Sequence, residues 1–405
     1  MGDTAQAPLK GKAVVFGISG GIAAYKAPLI VRGLMSQGFQ VDCLLTEAAQ
    51  HFVTPLALQS LTGRAVYTRM FPIDFQQKYQ IEHIALADRA DCILIAPATA
   101  NCIARLAHGI ADDLISCTVL ATKAPVLVCP SMNVNMYENE ATRDNLRTLA
   151  ARGIHILEPE KGLLACGWEG KGRLPEPDRI VDEVRRLLFK HDLKDLKILI
   201  TCGPTCEDID PVRYITNRST GKMGTALAEA ACLRGAEVKV VSGPVNQPYA
   251  PWATVIHVRS SSDMLTAVEA NLAEADVLIM AAAVADYLPK HYRARKIKKG
   301  DARLSQLELK PSLDILATIK PRKGKKVFVG FAAETNDLLK NARDKMRRKG
   351  LDLIVANQVG VEDSGFASDT NSGAIIASSG ALNNFEQVEK TDLAHNILDL
   401  VRERL

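Results

Sequence analysis

Residues 200–224, ITCGPTCEDIDPVRYITNRSTGKMG, hold the densest group of side chains able to do chemistry. An apolar run at 197–201 leads into a polar loop carrying Gly203, Pro204, Arg213, Asn217, Arg218, Ser219 and Gly221. That loop runs into an alanine-rich helix opened by Lys222-Met223-Gly224. Guanidinium, amide and hydroxyl donors ahead of a helix N-terminus suit an anion. Connections of this kind usually take about 2–6 residues, so a loop this long predicts a binding function rather than a plain turn. Downstream of Asp286-Tyr287, a basic run holds Lys290, His291, Arg293, Arg295, Lys296, Lys298 and Lys299. It reads either as solvated surface or as a cationic clamp for a triphosphate. A third candidate is the glycine-rich run from Gly162 to Arg173 around Cys166. Its composition predicts neither helix nor strand but a mobile loop with an accessible thiol, or else a surface turn in which the thiol is incidental. A lone histidine such as His83 is more often structural than functional.

The elements that would position these groups alternate along the chain. Residues 13–16 read as a strand and 22–35 as a helix interrupted early by Pro28. Between them, the glycines of Gly17-Ile18-Ser19-Gly20-Gly21 admit a ligand close to the backbone and Ser19 adds a hydroxyl; a bare strand-to-helix turn fits the same residues. Apolar runs at 41–45, 91–96 and 125–129 end in Thr46-Glu47, Pro97-Ala98-Thr99-Ala100-Asn101 and Pro130-Ser131-Met132-Asn133. In an open parallel sheet these ends share one edge, where the ligand sits. Neutral donors and one glycine turn suit a flat ring with a single phosphate, and no acidic residue about 20 positions on is placed to read an adenosine ribose. This favours FMN over NAD. Glu82-His83-Ile84 opens a helix, and an amphipathic helix at 178–190 closes the first half. The expected domains are therefore 1–191 and 192–405.

The second half repeats the alternation, with strands at 197–201, 237–242, 254–258, 276–280, 326–330 and 352–356. The helix expected at 337–349 puts Lys345 and Lys349 on one face. The expected fold class is α/β: two doubly wound, Rossmann-like domains with mainly parallel sheets. A formal charge of +4 over 405 residues is too small to imply nucleic acid. No apolar run approaches the ~18 residues of a membrane span. Nine scattered cysteines without a C-x-x-C pair predict a reduced, cytoplasmic protein.

GISGGIAAYK, TEAA, PATANCIA with GIADDL, PSMNVNM and ACGWEGKGR resemble the flavin-dependent cysteine decarboxylases. Together with GPT, DPVRYITNRSTGKMG, AAAVADY, KIKK and VGFAAET, they make nearly the whole chain similar to one family. These are the bifunctional phosphopantothenoylcysteine decarboxylase/phosphopantothenate–cysteine ligases of bacterial coenzyme A synthesis. The resemblance implies two reactions. In the first, the carboxylate of 4′-phosphopantothenate attacks CTP with Mg2+, giving an acyl-cytidylate and pyrophosphate, and the amine of cysteine then expels CMP. In the second, FMN oxidises the substrate thiol to a thioaldehyde, which accepts the electron pair left by CO2. An acid protonates carbon, the hydride returns, and 4′-phosphopantetheine results.

The same resemblance assigns residues. It makes Cys166 the acid, sets His83 beside the flavin, puts Asn133 on the substrate carboxylate, and places Gly17, Ser19, Gly20, Thr46, Ala98, Thr99 and Asn101 around FMN. In the second half it makes Lys296 the charge stabiliser of nucleotidyl transfer and puts Asn217 on the acyl-cytidylate carbonyl. Arg213 and Ser219 go with the substrate, and Asp286, Leu313, Asp314, Ile315, Leu316, Phe331, Lys345 and Lys349 around CTP. Mg2+ is left to the nucleotide phosphates, with no protein ligand assigned. The residues themselves do not separate CTP from ATP. Ser312-Leu313-Asp314-Ile315 departs from the family's N-P-D-I, and PSMN carries serine where alanine is usual. Small-molecule partners and a homo-oligomer are implied, with trimers of the flavin half and dimers of the ligase half closing as a dodecamer. A two-domain NAD(P) oxidoreductase would carry G-x-G-x-x-G after a first strand, which neither half has. A regulatory flavin-binding relative would have lost part of the set His83, Asn133, Cys166 and Lys296, all of which are present.

Overall fold

In the computed structural model the chain divides between Phe189 and Lys190 into two units. Residues 9–70, 81–165, 167–298, 307–334, 337–358 and 368–405 are described; Cys166 and Lys299 lie outside them. No helix among the described residues is long and apolar enough to cross a membrane.

The N-terminal unit is built on six parallel strands: β1 (Ala13–Ile18), β2 (Gln40–Leu45), β3 (Val66–Tyr67), β4 (Cys92–Ala98), β5 (Val126–Pro130) and β6 (His155–Ile156). Their order is β3-β2-β1-β4-β5-β6. Alternate side chains of β1 enter different cores. Val14, Phe16 and Ile18 pack with the helices Ala27–Ser36 and Pro177–Leu188, while Val15 packs with Ile93, Ile95 and the helices Ala100–His108 and Leu114–Ala121. Burial on both faces explains why the strands read as continuous apolar runs. Two expectations change here. Pro28 interrupts nothing: a short 3-10 turn, Ile22–Lys26, precedes it, and Pro28 is the second residue of the helix Ala27–Ser36, where its missing N–H costs no bond. The Gly162–Arg173 run is not irregular either. It forms an antiparallel hairpin of β7 (Glu160–Leu163) and β8 (Glu169–Arg173).

The C-terminal unit holds β9 (Lys197–Cys202), β10 (Cys206–Asp208), β11 (Tyr214–Thr216), β12 (Glu237–Ser242), β13 (Thr254–His257), β14 (Val277–Met280), β15 (Tyr287–Pro289), β16 (Leu309–Pro311), β17 (Val327–Glu334), β18 (Leu353–Gln358), β19 (Thr370–Ala377) and β20 (Leu382–Glu389). The main sheet runs β13-β12-β9-β14-β17-β18-β19-β20. Its last two strands are antiparallel, an edge not expected from the sequence. The long loop expected after β9 is in part the small hairpin β10–β11.

The helices Lys222–Leu233 and Lys390–Arg402 cover one face of this sheet. Behind them, Arg234 donates to both Asp192 oxygens at 2.8 Å and also pairs with Asp399 at 2.7 Å. Burial raises the Asp192 carboxyl, but the Arg234 hydrogen bonds and the charges of Arg234 and Arg402 outweigh it and hold it below the usual carboxylate range. Arg234→Met leaves Asp192 without its bidentate partner. The expected cost is about 2–3 kcal/mol, or roughly 5–10 °C in the melting temperature of this unit at pH 7. A carboxyl with a lowered folded pKa contributes stability above its unfolded value, about 3.9, and loses it as pH falls through the folded value. The deficit measured by calorimetry should therefore persist above pH ~4 and shrink below it.

Candidate functional site

In each sheet the strand order reverses at one point, between β1 and β4 in the first unit and between β9 and β14 in the second. Ligands bind open α/β sheets in the crevice at such a reversal, beyond the carboxyl ends of the strands. In the N-terminal unit the tips of β2, β1 and β4 are tied together there. Ser19 is buried; its Oγ donates to Pro97 O at 2.7 Å and accepts from Thr99 N at 2.9 Å. Thr46 N donates to Ile18 O at 3.1 Å. Thr99 caps the helix Ala100–His108, accepting from Cys102 N at 3.3 Å. Asn101 is exposed in that helix's first turn, and Ala98 is buried behind it. Hydroxyls and a helix N-terminus at the reversal fit a phosphate-bearing flavin. The glycines also meet a packing need. A Cβ on Gly20 would lie 2.3 Å from Ala48 Cβ, so packing requires glycine there, whereas one on Gly17 would lie 3.2 Å from Ile115 Cγ2, a tight contact with a side chain.

Asn133 caps the short helix Val134–Glu138 through its Oδ1, which accepts from Asn135 N at 2.8 Å. Its Nδ2 is a donor, the polarity that a carboxylate needs. The β7–β8 hairpin is seated against the same segment. Met132 N donates to Gly172 O at 3.1 Å. Cβ atoms on Gly170 and Gly172 would lie 2.6 Å from Val134 Cγ2 and 2.2 Å from Met132 O. Glu158 adds an anchor, accepting from Tyr137 Oη at 2.7 Å and from Lys171. At the hairpin tip Leu164 N donates to Trp168 O at 2.7 Å. His83, the second residue of the helix Glu82–Arg89, is half-buried.

In the C-terminal unit the loops after β9 and β14 are stitched by backbone bonds. Ala283 N donates to Gly203 O at 2.9 Å, and Thr205 N to Ala283 O at 3.3 Å. Thr205 Oγ1 also accepts from Ala285 N at 3.0 Å. Over this seam opens a cavity of about 900 Å3. Asn217, Ser219, Asp286, Leu313, Asp314, Ile315, Leu316, Phe331, Lys345 and Lys349 all line it. Several of these groups are engaged with the protein itself. Asn217 Nδ2 donates to Ala283 O and Val284 O, both at 3.1 Å. Asp314 caps the helix Ile315–Ile319 and pairs with Lys349. Lys345 donates to Phe331 O at 2.8 Å. At the departure from N-P-D-I, Ser312 N donates to Asp286 O at 2.8 Å, and Asp314 still starts its helix without a preceding proline.

Arg213 and Lys296 are not among the residues lining the cavity. Lys296 is exposed, in the connection between the paired strands β15 and β16. The polar strand end at Asn357 also lines the cavity, together with Asn371 and Lys390, which sequence reasoning missed. Asn371 is buried and donates to Asn357 Oδ1 at 3.3 Å. Lys390 is buried and donates to Ser368 O; burial, and then the neighbouring Lys222, hold its pKa below the ordinary lysine value. One sequence signal was present: Lys390 opens a helix, where a cation opposes the dipole.

A parallel sheet with donors gathered at its strand-order reversal, built twice, defines a tandem α/β protein made to hold nucleotide-like ligands. The two halves match two families, Flavoprotein over residues 3–189 and the DNA/pantothenate metabolism flavoprotein C-terminal domain over residues 193–405. The chain belongs to the family of bifunctional coenzyme A biosynthesis proteins. It is 45% identical over 399 residues to the coenzyme A biosynthesis bifunctional protein CoaBC of Bacillus subtilis (strain 168), covering 96% of each chain. It is 46% identical over 367 residues to that of Escherichia coli (strain K12), covering 90% of each. A solved C-terminal domain of a coenzyme A biosynthesis bifunctional protein CoaBC is 38% identical and covers 53% of this chain and 97% of its own, with a TM-score of 0.46.

Proposed function

We propose that this bifunctional enzyme of coenzyme A biosynthesis joins 4′-phosphopantothenate to cysteine in its C-terminal unit and decarboxylates the product in its N-terminal unit. The observation that carries this reading is the cavity of about 900 Å3 at the β9/β14 reversal, with Lys222, Lys345, Lys349 and Lys390 on its wall. Its size lies at the upper end of the roughly 300–1,000 Å3 of small-molecule sites. In ligation the substrate carboxylate attacks the α-phosphorus of CTP, the bond to pyrophosphate breaks, and the amine of cysteine then displaces CMP from the acyl carbon. Two anions must meet in the first step, so lysines around the triphosphate, with Lys296 and the Mg2+ carried by the phosphates, offset their repulsion. Asn217 and Ser219 face the acyl group, and Arg213 completes the substrate side.

In the N-terminal unit, Gly17, Ser19, Gly20, Thr46, Ala98, Thr99 and Asn101 hold FMN, with His83 beside it. FMN supplies the reversible oxidation of the substrate thiol that makes loss of CO2 feasible. Asn133 holds the departing carboxylate through its amide. Cys166 returns a proton to carbon; an ordinary thiol, with a pKa near 8.5, is protonated at neutral pH. Ile22, Tyr25 and Leu29 stay more than half exposed at helical spacing, giving apolar surface to a homo-oligomer, a dodecamer in its fullest form.

The test is incubation with 4′-phosphopantothenate, cysteine, Mg2+ and either CTP or ATP, with products followed by mass. Pyrophosphate and the acyl-cysteine should form with CTP, followed by a species lighter by CO2, and the protein should be yellow. A colourless protein that releases no pyrophosphate would sink the reading. Cys166→Ser should stop CO2 release and leave ligation intact; loss of both activities in a folded variant would argue against separate sites.

A further inference from the structure

The exposed basic segment that carries Lys296 is bonded to a buried carboxylate. Asp210 lies in the turn between β10 and β11, 1% exposed. Its two oxygens have different jobs. Oδ1 accepts from Val212 N at 2.8 Å and Arg213 N at 2.9 Å, shaping its own turn. Oδ2 faces away from the turn, accepts from Ile297 N at 3.1 Å and lies 3.4 Å from Arg213 Nη1. Arg213 Nη2 then donates to Ile297 O at 2.9 Å, so both backbone polar groups of Ile297 are gripped by a single ion pair. A third bond to the segment, Arg293 N to Ile209 O at 3.0 Å, fixes it on the other side of Lys296. Backbone bonds to a buried, paired carboxylate hold a loop far better than contacts among exposed lysines do.

We propose that Asp210 is a positioning residue for nucleotidyl transfer, clasping the main chain at Ile297 so that the Lys296 ammonium is presented to the reacting phosphate. The same contact gives Arg213 a second task beside its substrate role. The proposal rests on the assignment of Lys296 to ligation.

Asp210→Asn separates the two jobs. With its Oδ1 kept on the turn, the new NH2 replaces the oxygen that received Ile297 N–H and faced Arg213. The test is a double-mutant cycle on the full chain, comparing Asp210→Asn, Lys296→Gln and the pair by pyrophosphate release with CTP, 4′-phosphopantothenate and cysteine. Misplacement of a reacting group by about 1 Å costs up to roughly 100-fold. Asp210→Asn is therefore expected to lower kcat by roughly 10–100-fold with the KM for CTP within about twofold. Beside Lys296→Gln it should cost nothing further. Trypsin should cut the variant faster after Arg293, Arg295 or Lys296, with CO2 release from 4′-phosphopantothenoylcysteine unchanged. Multiplicative losses in the double variant, or wild-type kcat in Asp210→Asn, would overturn the proposal. Wild-type kcat in Lys296→Gln would instead remove the assignment of Lys296 beneath it. Should Asp210→Asn fail to fold, Ile297→Pro, which removes the donated N–H and also fixes φ there, is read by the same cycle.

Discussion

Gly172→Ala is expected to slow CO2 release from 4′-phosphopantothenoylcysteine by roughly 10–100-fold while leaving pyrophosphate release unchanged. The added Cβ would lie 2.2 Å from Met132 O, a backbone atom with no rotamer to yield. Met132 N already donates to Gly172 O, so neither strand segment can retreat without breaking that bond. Overpacking of this kind costs about 1–3 kcal/mol, and 1.36 kcal/mol is a tenfold change in rate. The strain falls where the hairpin meets Asn133, so it appears as misplacement of the hairpin tip rather than unfolding. Gly162→Ala is the control in the same hairpin, because its nearest neighbours would be 3.9 Å away. Normal decarboxylation by Gly172→Ala would show that the seat of the hairpin does not set the active geometry.

Lys390→Met should move binding and stability in opposite directions. The KM for CTP is expected to rise roughly 10–100-fold, the value of one charge-assisted bond of about 1.5–3 kcal/mol. Without nucleotide, the variant should melt higher than the parent. Burial and the neighbouring Lys222 disfavour the Lys390 ammonium more than Asp369 and Glu389 favour it. Methionine keeps most of the apolar stem and drops the charge. A lysine with a lowered folded pKa destabilises below that value, and the penalty fades as pH rises toward its unfolded value near 10.4. The difference in melting temperature should therefore narrow in that window. A variant that is both less stable without nucleotide and unchanged in KM would make Lys390 an ordinary structural residue.

The parallel strands were legible because burial on both faces leaves uninterrupted apolar runs such as residues 92–96 and 277–280. The strand-end loops were legible for the complementary reason that polar residues cluster where those runs stop. The hairpins were not. Glycine in β7 and β8 suggested irregular chain, but Gly170 and Gly172 are there because Val134 and Met132 leave no space for a side chain. The β10–β11 hairpin is only three residues a side and carries Glu207 and Asp208, too short and polar for alternation to register. Strand β20, LNNFEQVE, lies at an edge with most of its side chains exposed, so it has no apolar stripe to read. At the cavity, the resemblance supplied the wall residues near each motif. Lys390 and Asn371 reach it from about 150 or more positions down the chain from Lys222, a distance at which sequence patterning carries no information.

The seam between Gly203, Thr205 and Ala283 anchors the β14 loop, whose Ala283, Val284 and Ala285 line the cavity, with main-chain bonds and one hydroxyl. Main-chain groups are indifferent to most substitutions. The frame of the nucleotide site can thus persist while the side chains facing it are exchanged, and a change of preferred base would need new wall residues but no new architecture.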